Sequence, residues 1–247
     1  MIFTTEKTFD GLCAALFYSF THKIFPTAVL DISLPFMSEI GEEVTEIKAD
    51  TEEINRVKRA LFNYGGDDII YQVSVVLSSC KEECLTAAFF YLKRTLELKR
   101  NLFYAYGEKC VTEFFYISDT VMNEKHRING FLRFKETKKG VMYACFSPDN
   151  DILWLISPHF LSRLNKIPFV IHDLKRSKIA LSDGKKVRYL KVDKEANLDL
   201  TDREKELEAM WKKYYETVNI IERKNLRQQN RCMPKKYRKF MIESFEI

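Results

Sequence analysis

At 247 residues, with 46% apolar and 13% aromatic content including nineteen Phe and twelve Tyr, the chain can bury a substantial core and lacks the composition of a disordered protein. Its net charge of +5 is unevenly spread: eight bases meet one acid between Ile221 and Phe240, so that segment carries +7 and the remainder −2. No apolar run reaches the roughly 18 residues that span a bilayer, the start lacks the basic and apolar regions of a signal peptide, and six scattered cysteines read as reduced thiols of a cytoplasmic protein.

In chain order, Ile2-Phe-Thr predicts a strand. Asp10 is expected to cap a helix to about His22, with Leu12, Ala15, Leu16 and Phe20 on one face. Residues Asp31 to Glu53 hold eight acids and one Lys, a solvated connection with room for one strand. Thr51 opens a helix through Leu61 that Gly65-Gly66 stops, and Asp67 or Asp68 restarts helix to Leu77. Lys81 to Arg100 and Glu108 to Lys125 complete a helical N-terminal half.

The pattern then changes to strands. Gly130 to Lys135 and Val141 to Phe146 read as a hairpin, and Asp149 to Asp151 as the cap of a helix through Leu164. Phe169 to His172, Lys178 to Leu181 and Lys186 to Leu190 are further strands, the last two joined by a tight Asp183-Gly184 turn. Thr201 and Glu204 stand in capping-box register for a final helix whose Leu207, Met210, Trp211, Tyr214 and Val218 should face the core. The expected fold is α+β: helices first, a mostly antiparallel sheet over about 129–192, and a helical basic tail, in one domain with possible lobes at 1–127 and 128–247.

Catalytic motifs are sparse. No Gly-rich phosphate loop or nucleophile elbow is present, and Cys80 and Cys84, one helical turn apart, lack the further ligands of a metal site. We therefore expect no metal and no cofactor. His126, His159 and His172 with Asp173 are the candidates for acid–base work, although adjacent strand residues such as His172 and Asp173 point to opposite faces. Arg127 and Arg133 beside His126 suit either a phosphate contact or a buried ion pair. In the basic segment Arg223, Lys224, Arg227, Lys235 and Lys236 alternate with Asn225, Gln228 and Tyr237, which can hydrogen-bond or stack as well as attract; that mixture suits a nucleic-acid surface.

Several segments together resemble a bacterial family, the DUF4130 group, described as probable DNA metabolism proteins. They are Phe9-Asp-Gly-Leu12, His126-Arg-Ile-Asn-Gly-Phe-Leu-Arg-Phe134, Pro158-His-Phe160, Ile171-His-Asp173, Trp211 through Asn225, Gln228, and Met233 through Lys239. The chain departs from the pattern at Arg238, where the family is expected to carry Trp after Tyr237. The resemblance implies a DNA context and a radical-SAM repair or modification protein as partner, the same domain occurring fused to a uracil-DNA glycosylase-like domain. The expected role is a nucleic-acid-binding accessory, with DNA of unspecified form and that radical-SAM protein as partners and no membrane. The alternative is an enzyme acting on a damaged base or the DNA backbone through the histidines.

Overall fold

The computed structural model describes residues 1–35, 42–103, 105–192, 199–220, 223 and 225–242. It divides into two compact units, Met1–Met122 and Asn123–Ile247.

In the first unit, β1 (Ile2–Thr5) is central in a parallel three-stranded sheet, with β2 (Ala28–Asp31) on one side and β3 (Val44–Glu46) on the other. Flanked on both edges, β1 is buried at all four residues. Between β1 and β2 runs α1 (Phe9–His22), capped by Thr8 instead of Asp10: the Thr8 hydroxyl accepts from the Gly11 N–H at 3.0 Å. Leu12, Ala15 and Leu16 are buried, whereas Phe20 lies exposed beside Phe25. The expected break at the glycines is a kink within one helix, α2 (Thr51–Leu77), where Gly66 adopts φ 59°, ψ −152°. Asp50 and Glu53 close a capping box at its start.

Helix α3 (Cys84–Leu98) begins and ends inside its expected span. The Thr86 hydroxyl accepts from the Val29 N–H at 2.9 Å and donates to the Val29 carbonyl at 3.0 Å, pinning α3 to edge strand β2. Phe3, Leu16, Leu61, Val73, Leu85 and Phe89 meet in the core of this unit.

Helix α4 (Lys109–Phe131) runs past its expected end, so His126, Arg127 and Gly130 are helical and the first hairpin strand shrinks to β4 (Lys135–Glu136). The five-stranded sheet of the second unit continues with β5 (Met142–Phe146), β6 (Phe169–Asp173), β7 (Lys178–Ser182) and β8 (Val187–Lys191), in that spatial order. It is antiparallel except between β5 and β6, which α5 (Leu153–Arg163) joins as a parallel crossover while packing against β6, β7 and β8. The expected acidic cap of α5 is absent: Ile152 holds the cap position, and Asp151 pairs instead with Lys178 at 2.6 Å. The Asp183-Gly184 turn forms as expected, and a Cβ on Gly184, whose φ is +84°, would meet the Lys166 carbonyl at 2.2 Å.

Among the described residues, β8 is followed by the α-helices α6 (Asp202–Val218), α7 (Leu226–Cys232) and α8 (Lys235–Arg238). Thr201 caps α6, but the Glu204 carboxylate reaches across to the Glu136 N–H at 3.1 Å, and Glu208 meets Lys135 at 2.7 Å, so the first turns of α6 hold β4. The apolar stripe of α6 faces outward, contrary to expectation: Trp211 is 41% exposed, Tyr214 58% and Met210 67%. Periodicity specifies an amphipathic helix without specifying that anything covers its apolar side.

Candidate nucleic-acid interface

The basic tail is built onto one buried carboxylate. Glu124, in α4, accepts the Asp149 N–H and Asn150 N–H, both at 2.9 Å, the Asn150 side-chain amide at 2.7 Å, and the Tyr237 hydroxyl at 2.5 Å. Lys236 Nζ lies 3.4 Å from Glu124 and also pairs with Asp149. Burial alone would raise the Glu124 pKa; the Tyr237 hydroxyl, the two backbone N–H groups and Lys236 reverse that and hold it below the ordinary carboxylate value. Burial pushes the Tyr237 phenol up, and Glu124 adds to the effect. For Lys236, burial pulls downward but the bond to Asp149 leads the contributions that leave its pKa raised.

This anchoring divides the candidate residues. Tyr237, 2% exposed, packs at 6.0 Å from the Phe131 ring, so its face is turned inward rather than offered to a base, and Lys236 is ion-paired. Arg238 is buried too: its guanidinium donates to the Met233 carbonyl, where α7 ends, and to Asn230 Oδ1. Arg223, Arg227, Gln228 and Lys235 are exposed, as are Arg231 and Lys239. Asn225 is exposed but commits its side-chain oxygen to the Gln228 N–H as the cap of α7. Lys224 lies outside the described residues. Arg127 is exposed on α4, and Arg133 donates to the Gly130 carbonyl at 2.8 Å at the end of that helix.

The histidines do not gather. His126 and His159 are exposed and make no side-chain hydrogen bond or ion pair among the described residues. His172 is buried, its Nδ1 2.9 Å from the Tyr143 hydroxyl on one face of the sheet. Asp173 is on the opposite face, 3.1 Å from Arg176; burial raises its carboxyl pKa and the guanidinium only partly offsets this. Among the described residues no three His, Cys, Asp or Glu side chains are grouped to hold a metal.

A second basic surface was missed by the sequence reading. Edge strand β8 and the turn before it expose Lys185, Lys186, Arg188 and Lys191, with Tyr189 48% exposed among them. The run Lys-Lys-Val-Arg-Tyr-Leu-Lys carried the signal: bases on both faces of a strand and an aromatic between them.

Geometry and charge thus define an α+β protein with a carboxylate-anchored basic tail and a basic edge strand. By sequence the chain belongs to the DUF4130 family, a domain of unknown function, whose profile matches residues 82–243. No curated protein and no solved structure matches it.

Proposed function

We propose that the protein is a nucleic-acid-binding accessory, working in the cytoplasm on DNA alongside a radical-SAM repair or modification enzyme. The observation that carries the binding is the division of the tail. Tyr237 and Lys236 fix it to Glu124, while Arg223, Arg227, Arg231, Lys235 and Lys239 remain turned to solvent. Bases held on a folded support attract phosphates and release their counterions without ordering a free chain first. The DNA context and the radical-SAM partner rest on the family resemblance.

The test is a salt titration of binding to duplex and single-stranded DNA. Three or four phosphate contacts should give a slope of log K against log salt near −3, at about −0.9 per duplex phosphate or −0.7 per single-strand phosphate. Changing Arg223, Arg227 and Lys235 together to Ala should flatten the slope and weaken binding with little dependence on sequence, and circular dichroism should be unchanged because all three are exposed. A wild-type protein that fails to bind DNA at moderate salt would overturn the reading.

A further inference from the structure

Helix α6 turns toward solvent a face that its sequence suits to contact. Leu207, Met210, Tyr214 and Val218 share one side of the helix and are between 47% and 67% exposed. At 1.5 Å per residue they span about 16 Å of its axis. Large apolar side chains in a continuous exposed row mark an interaction surface, and Met and Tyr are residue types enriched in interface centres. Beside the row opens a groove of ≈ 470 Å³ with apolar walls, formed by Leu132, Phe134, Phe160 and Leu164 together with Leu207 and Trp211 of α6. Row and groove share Leu207, so one covering element meets both.

The charges beside the row indicate what that element is. Three acids of α6 are already engaged: Asp202 pairs with Lys205 at 2.9 Å, Glu208 with Lys135 at 2.7 Å, and Glu204 accepts the Glu136 N–H. Glu206 and Lys213 are exposed, and neither side chain has a hydrogen bond or ion pair among the described residues. They lie on the same flank of the row, about two turns apart, with Met210 between them along the axis. That spacing is too long for them to pair within one helix, where partners stand three or four residues apart.

An acid and a base set on either side of the middle of an apolar row are complementary to themselves. A second α6 laid antiparallel across Met210 brings Glu206 of each copy to Lys213 of the other. Both pairs then form together, as a two-fold isologous interface requires. A parallel arrangement would set Glu206 against Glu206 and Lys213 against Lys213, so charge selects the antiparallel one. A nucleic acid would find balanced charge on this flank, not the excess of base seen on the tail and on β8.

We propose that α6 is a homodimerisation helix: two copies pair antiparallel through Leu207, Met210, Tyr214 and Val218, and two reciprocal Glu206–Lys213 ion pairs set direction and register. A contact along one short helix pair is at the small end of protein interfaces, so the dimer dissociates on dilution. It carries two copies of each basic surface, and a polyanion long enough to reach both is held more tightly than by either alone. Sedimentation velocity over about 1–200 µM protein, free of nucleic acid, reads the association apart from DNA binding. Salt is held at about 50 mM, where surface charges are little screened. Wild type should pass from monomer to dimer within that range. Met210→Glu, at an exposed position, should weaken association by about tenfold or more with circular dichroism unchanged. Glu206→Lys and Lys213→Glu each turn two attractive pairs into repulsive ones and should each weaken it by about fivefold or more. An equimolar mixture of those two variants restores both attractive pairs, so it should dimerise within about twofold of wild type. A wild type that stays monomeric, single charge variants that associate like wild type, or a mixture that fails to recover would overturn the proposal. So would a monomer whose DNA affinity falls with Met210→Glu, since the row would then belong to nucleic acid.

Discussion

Glu124 shows how much one side chain can organise. Replacing it with Gln would leave the shape but remove the charge that the Tyr237 hydroxyl, two backbone N–H groups and Lys236 all address, at a cost of about 2–3 kcal/mol. Thermal or denaturant unfolding would measure the loss. Because its folded pKa is lowered, the stability Glu124 contributes is complete above the ordinary carboxylate value and is lost as pH falls through the folded value. Protection of the α8 amides, corrected for the intrinsic exchange rate, should therefore fall as pH drops below the ordinary carboxylate value, and Glu124→Gln should flatten that dependence. Asp173, whose pKa is raised by burial, acts in the opposite sense, so the α8 amides report Glu124 better than the global transition does. The sequence concealed this residue because its partners lie 25, 26, 112 and 113 positions away. The exposed arginines were legible because charge segregation needs no tertiary information.

Among the elements, Gly66 and α6 make opposite demands. Gly66 holds a backbone conformation, φ 59° and ψ −152°, that a side chain strains, so Gly66→Ala should destabilise by about 1–3 kcal/mol, although nothing stands within 4 Å of the new methyl group. Trp211, by contrast, is 41% exposed, so Trp211→Ala should cost about 1 kcal/mol or less. Full burial, as its helical spacing suggested, would cost about 3–5 kcal/mol. Chemical denaturation of both variants separates these outcomes. Helices and antiparallel strands were readable because their periods differ and turn residues such as Asp183-Gly184 punctuate them. The parallel sheet of the first unit was not, because β2 and β3 have four and three residues and pair with a strand distant in sequence.

On the scale of the whole molecule, the chain combines a family-defined region with an N-terminal stretch, residues 1–81, outside the family match. The parallel sheet of the first unit is in that stretch, and the basic surfaces are within the matched region. No helix among the described residues is long and apolar enough to cross a membrane. The docking of Tyr237 onto Glu124 has a further consequence, topological rather than electrostatic. With α8 fixed through Tyr237, the far end of α7 is tied down and its exposed Arg227 and Arg231 are not carried on a free end. Loop closure grows only slowly more expensive with length, so the restriction on Arg227 and Arg231 is imposed once, during folding. A polyanion meeting those side chains then encounters a reduced set of conformations, and less of the attraction is lost to conformational entropy on binding.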